Sequence, residues 1–236
     1  MKRLLLVLIQ VSLVTFSYAQ IGNIMKKAKS AVGIATGDEN EKSAALKEAL
    51  SFGVEAAVNQ LSIDKGYLES PYKILIPEDA QNIINKVKMV PGFQDVESKL
   101  INQMNKAAEI AAKKASPIFL GAIKQMSVQD AASIIAGKEN AATMYLSSTS
   151  RAPLYNEFMP VIQSALDEVN ARTYWKTVVD AYNKIPLTKK MNPALDDHVN
   201  NKALDGLFSL IAVKEAGIRN DIGQRTTELL KKVFGS

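Results

Sequence analysis

The chain has 236 residues, no cysteine, a single histidine, and 29 basic against 24 acidic residues, for a formal charge of +5. The missing cysteines exclude disulfides, thiol nucleophiles and thiolate metal sites. Lys2 and Arg3 lie in the first segment discussed below, so beyond it the balance falls from +5 to +3. That is too small and too dispersed to argue for a nucleic-acid partner.

Residues 1–19 (MKRLLLVLIQVSLVTFSYA) join a basic start to a short apolar run, then end on Ser17-Tyr18-Ala19. This order predicts a secretory leader cut between Ala19 and Gln20. The run is too short and too interrupted for a membrane span, which needs about 20 apolar residues. With no cysteine after the cut, lipid attachment there is excluded. The expected product is exported, periplasmic or secreted, soluble, and without stable membrane insertion.

Residues 21–36 are weakly amphipathic, and Gly37-Asp38-Glu39-Asn40 reads as a break, so residues 20–40 are expected to be a flexible arm or a loosely held short helix. Residues 41–236 are expected to form one helical domain. Leu46, Leu50, Val54 and Leu61 recur at helical steps over 41–62. Residues 63–77 are irregular, and Tyr72–Ile76 is the one strand-like stretch. Pro77-Glu78-Asp79 reads as a helix start, because proline suits a first turn and acids favour that end. Pro91-Gly92 closes that helix.

Val96, Leu100, Met104 and Ala111 line a long helix over 94–115, and Ser116-Pro117 opens another that ends near Met126. Ser127 with Asp130 three residues on resembles a capping box for a short helix stopping at Gly137. Asn140 is the expected cap of the next helix. Arg151-Ala-Pro153 reads as a fresh start, and Pro160 as a bend. An aromatic-rich helix carries Tyr174, Trp175 and Tyr182. Asn192-Pro193 is taken as the start of a helix over 193–220, and a terminal helix spans Thr226 to Phe234. The pattern predicts an all-α, single-domain array of roughly eight to ten helices, several of them short.

Common catalytic arrangements are missing. His198 projects away from the apolar stripe of its helix and is expected to face solvent; alone it cannot make the usual multi-histidine zinc site. No metal and no cofactor is expected. Asp196 and Asp197 are adjacent and point apart on a helix. The anomaly is in the last long helix. Leu204, Leu207, Phe208, Ile211, Ile218 and Ile222 form one stripe, and Glu215 projects into its centre with Arg219 four residues later. That order suits an ion pair. The pair either closes the core or lines a cleft meeting a ligand or partner. Tyr145 and Arg151, near a helix junction, form a second candidate pair, since both types serve as interface anchors. Lys26, Lys27 and Lys29 give the arm a basic character, too weakly apolar for anchoring by itself.

The run KALDGLFSLIAVKEAGIRND (Lys202–Asp221), followed by RTTELLKKVFG (Arg225–Gly235), resembles the ending of the domain of unknown function 4197 family. ALKEALSFGVEAAVNQLS (Ala45–Ser62), PIFLGAIKQMSVQDAASIIAG (Pro117–Gly137) and AATMYLSSTS (Ala141–Ser150) resemble it too. Lys214 stands where family members often carry an acid, and Ile222 where they often carry a proline. The resemblance implies an exported helical envelope protein and brings no catalytic residues with it. The functional expectation is a non-enzymatic binding module for a protein partner or an apolar, lipid-like ligand held between helices. The alternatives are a carboxylate-dependent hydrolase of cell-envelope material and a structural assembly protein.

Overall fold

The computed structural model describes residues 18–236 except 90, 169, 188–189, 192–193, 226, 229–230, 232–233 and 235–236, with side chains from residue 38 onward, that of residue 79 excepted. The predicted leader lies outside the described residues but for its last two. The chain divides into two compact units, residues 1–40 and 41–236.

Eight α-helices appear among the described residues, with no strand: α1 (Tyr18–Ser62), α2 (Glu78–Val87), α3 (Val96–Ala112), α4 (Ala115–Gln125), α5 (Val128–Ile135), α6 (Ala141–Glu168), α7 (Ala171–Asn183) and α8 (Asp196–Asn220). A 3-10 turn, Ile222–Gln224, follows. The all-α expectation therefore holds. The first unit contributes the helical backbone of 18–40, continuous through Gly37–Asn40, where the sequence predicted a break. The second unit holds residues 41–62 of α1 and the helices after it.

Its centre is built from α3, α6 and α8, each packed on the other two. α7 lies against α2, α3 and α6, while α4 and α5 lie on α6. The predicted stripes supply the core: Leu46, Leu50, Val54 and Leu61 of α1 meet Val96, Leu100 and Met104 of α3 and Leu204, Leu207 and Ile211 of α8 in one buried cluster. Burying such a side chain contributes about 1.5–3 kcal/mol.

Two further boundaries differ from expectation. Residues 151–153 do not start a helix, because α6 runs unbroken through Pro153 and Pro160. Both prolines are exposed and lie seven residues apart on one face. The carbonyls they deprive of a partner therefore face water, and the fixed proline φ is itself helical. α8 begins at Asp196 rather than 193, and Asn192 and Pro193 are outside the described residues. Of the predicted terminal helix, Thr226, Leu229, Leu230 and Val233 also lie outside them; Lys231 N–H donates to the Thr227 carbonyl at 3.1 Å.

The stretch between α1 and α2 is held by side chains. Lys65 takes a left-handed φ of 61°. A Cβ on Gly66 would lie 2.6 Å from the Gln60 carbonyl oxygen, so only glycine fits there. Tyr67 is wholly buried and donates its hydroxyl to the Ala203 carbonyl at 2.7 Å. Residues 73–77 are extended, with Ile74 and Ile76 inward and Lys73 and Leu75 outward. In place of a neighbouring strand, Asn105 of α3 pairs with this segment. Its Oδ1 accepts the Ile74 N–H at 2.8 Å, and its Nδ2 donates to the Ile74 carbonyl at 2.9 Å.

Candidate functional site

Glu215 is 6 % exposed, and its side chain ties α8 to α6. Oε1 accepts the Ala142 N–H at 3.0 Å. Oε2 accepts the Thr143 N–H at 2.8 Å and the Thr143 hydroxyl at 2.7 Å. Arg219, one turn on, donates Nε to Oε1 at 3.0 Å, and its Nη2 stands 2.9 Å from the same oxygen. The guanidinium also donates to the Ile134 carbonyl at 2.9 Å and lies 5.8 Å from the centre of the Phe234 ring. The carboxylate thus serves the orphan N–H groups opening α6, and the guanidinium serves the carbonyls closing α5. Each charge sits at the helix end its sign favours. Asn140 was the expected cap of α6; the oxygens that take the Ala142 and Thr143 amides belong to Glu215. Arg225, also buried, repeats the device at the end of α8, donating to the Ile218 and Arg219 carbonyls at 3.0 and 2.8 Å.

Tyr145 and Arg151 are not brought together. Tyr145 is half-buried, and burial, then the charge of Asp130, raises its phenol above the usual value. Arg151 reaches across to α8, donating to Asp205 at 2.7 Å, with its guanidinium carbon 5.9 Å from the centre of the Phe208 ring. It belongs to a polar seam between α6 and α8. Tyr155 donates to Asp197 at 2.5 Å, and Gln163 donates to Asp196 at 3.0 Å. Arg172 of α7 pairs with Asp196 at 3.2 Å. The adjacent aspartates therefore do point to different partners. His198 is half-buried rather than solvent-facing, and its Nε2 donates to the Leu75 carbonyl at 2.9 Å. The loop over 63–77 brings that acceptor, a contact that helix projection does not contain.

A second buried carboxylate, Glu109 of α3, escaped the sequence reading. It is 3 % exposed and accepts backbone N–H bonds from Lys65, Tyr67 and Leu68. Lys106 Nζ stands 3.9 Å away and is itself bound to Asp64 at 2.7 Å. Burial outweighs these favourable contacts and raises the Glu109 carboxyl above its ordinary range. Asn105 and Glu109 sit one turn apart, off the predicted stripe. Only the overlying loop buries them, so periodicity offered no signal.

A cleft of about 280 Å³ opens beside this loop. Lys73 borders it from the extended segment, Lys88 from the end of α2, and Gln94 from the turn before α3. Glu97, Ser98, Ile101 and Asn102 of α3 complete the lining. Both Glu97 oxygens are already engaged: Oε1 accepts from Gln81 at 3.1 Å, and Oε2 is bound by Lys88. These bonds hold the Glu97 carboxyl below its ordinary range. Among the described residues, no group of His, Cys, Asp and Glu is placed to hold a metal ion. No helix among them is long and apolar enough to cross a membrane.

Fold and site together define an all-helical protein whose buried charges act as caps between helices. The chain belongs to the family described as Protein of unknown function (DUF4197), whose model matches residues 36–235. No curated protein and no solved structure matches this chain.

Proposed function

We propose that this chain is an exported, non-enzymatic binding module of the cell envelope, acting by holding a partner or small ligand. The observation that carries the reading is the employment of its buried carboxylates. Glu215 and Glu109 each accept backbone N–H groups from a neighbouring segment, which leaves them as struts rather than acids or bases. A hydrolase built on Glu215 would need that carboxylate to face substrate beside a second catalytic group. Among the described residues, its neighbours are instead the ends of α5 and α6 and Arg219. Two lysines, Gln94, Glu97, Ser98 and Asn102 border the cleft beside α3 against the one aliphatic residue Ile101, which favours a ligand with a polar end over the wholly lipid-like one expected from the sequence. Export rests on residues 1–19, read as a leader.

Native mass spectrometry of the chain purified without denaturant from a producing cell's envelope or medium tests both parts. The expected result is a polypeptide beginning at Gln20 that carries a second mass, small molecule or protein. A chain retaining Met1 overturns export. A bare chain that cleaves cell-wall fragments at a rate abolished by Glu215→Gln, in a variant shown to be folded, overturns the binding reading in favour of hydrolysis.

A further inference from the structure

We infer that the cleft between Lys73, the end of α2 and the first turns of α3 is a binding site for a phosphoryl group carried by a small polar molecule or head group. The inference rests on the binding reading above and gives that reading a place and a ligand chemistry.

What the cleft can hold follows from the groups its lining leaves unspent. Its one carboxylate, Glu97, accepts from Gln81 and is paired with Lys88, so its charge is already balanced within the cleft. With Glu97 balanced by Lys88, the uncompensated charge of the lining is that of Lys73. The Lys73 ammonium makes no hydrogen bond or ion pair with any described residue, so all of it is available. Lys88 spends one proton on Glu97 and keeps the others. Gln94 uses its carbonyl oxygen to accept the Gly92 N–H at 3.1 Å, which leaves its amide protons free. The Asn102 side chain makes no hydrogen bond to any described residue, while the Ser98 hydroxyl donates to the Asp95 carbonyl at 3.0 Å. An acceptor-rich anion satisfies such a set, and a second cation or an apolar group does not.

Between anions, side-chain type decides. The lining has no arginine, so the planar fork that selects carboxylates by two parallel bonds is missing. Lysines act as point charges and suit the several terminal oxygens of a phosphoryl group. The volume, about 280 Å³, falls at or below the range of pockets for drug-sized ligands, so a head group fits with the rest of its carrier outside.

Lys73 is placed by structure elsewhere. Asn105 grips both backbone groups of Ile74, and Ile74 is buried. Alternation along the extended segment then turns Lys73 outward, toward α3 at Ser98, Ile101 and Asn102. The ammonium has been delivered to the cleft by a rigid support rather than left on a free loop.

The test uses the whole exported chain. Inorganic phosphate and glycerol phosphate are titrated by calorimetry at low salt, and sedimentation follows binding to phosphatidylcholine vesicles with and without phosphatidic acid. Lys73→Gln is compared with Lys202→Gln, which removes the same charge from an exposed position on α8. Both side chains are exposed, so both variants are expected to melt with the parent. The expected result is saturable binding that Lys73→Gln weakens about tenfold, equivalent to about 1.4 kcal/mol, and Lys202→Gln leaves unchanged. Lys73-dependent binding of glycerol phosphate alone supports a soluble phosphorylated ligand, and Lys73-dependent binding of the acidic vesicles supports a lipid head group. No saturable binding to any probe, or equal weakening by both variants, overturns the inference. If native mass spectrometry finds a retained ligand that survives Lys73→Gln, the binding module stands and this site falls.

Discussion

The Thr143 N–H lies 2.8 Å from Glu215 Oε2, across 72 residues of sequence, so a side chain of α8 does the work of an N-cap for α6. Arg219, one turn further along α8, closes α5 in the same manner. One ion pair thereby sets the positions of three helices, and its worth is tied to the caps as much as to the charges.

Glu215→Gln is expected to cost about 2–4 kcal/mol, because it leaves Arg219 partly buried without its counter-charge. In a chain of this size that lowers the melting temperature by roughly 5–15 °C. The double variant Glu215→Gln/Arg219→Met is expected to lose less than the sum of the single variants. Thermal denaturation of the four proteins checks this, and strict additivity would show the two residues to be uncoupled.

The Glu109 carboxyl titrates above its unfolded value of about 4.5 because burial disfavours the charge. The folded chain therefore holds this proton over a range where the unfolded chain has released it. Its contribution is fully present below the unfolded pKa and is lost as pH rises through the folded one. Urea midpoints of the parent and Glu109→Gln, measured from pH 4 to 8, should show the parent losing ground to the variant across that window. Parallel curves would contradict the assignment. Lys106 and Tyr67 are the titratable groups that interact with it, and Lys106, itself paired with Asp64, acts in the opposing direction.

Gly206 faces Tyr67 so closely that an added Cβ would sit 2.8 Å from the ring Cε1 and 3.1 Å from the Tyr72 Cβ. Tyr67 is fully buried and tied to the Ala203 carbonyl, so it cannot withdraw. Gly206→Ala is expected to cost about 1–3 kcal/mol through overpacking. Gly121, in α4, has no heavy atom within 4 Å of the corresponding position. Gly121→Ala is expected to stabilise by about 0.5–1 kcal/mol, since alanine is the better helix former. Chemical denaturation of the two variants should give shifts of opposite sign.

Asn105→Ala removes both bonds to Ile74 and leaves a buried N–H and carbonyl without partners. The expected loss is about 2–4 kcal/mol. The Ile74 amide should lose protection in hydrogen exchange well before the amides of α3 do. If both lose protection together, Asn105 supports the whole bundle rather than this segment.

Much of the helical layout was legible because amphipathic helices announce themselves. Val96, Leu100 and Met104 predicted the buried face of α3, and Ser127 with Asp130 formed the expected capping box, with mutual bonds of 3.0 Å. Arg151–Pro153 misled because the local preference of proline to begin helices was overridden where its face met water. Glu215 stood out because a charge interrupts an apolar stripe, and the structure supplies the reason it can be there. Lys73, Glu97 and Asn102 gave no such signal, since polar residues on a helix flank or in a loop are ordinary.

The sequence by itself determined the class of fold, the identity of the inner faces, the family, and the Glu215–Arg219 pair, because each rests on spacing within one segment. Tertiary structure alone decided what those residues touch. The carboxylate of Glu215 acquires its role only when the start of α6 arrives beside it. Lys73 borders the cleft from a segment that Asn105 of α3 holds, 31 residues further along the chain. Contacts between distant segments depend on how faces pack, and no periodicity within a segment encodes the partner that will cover it.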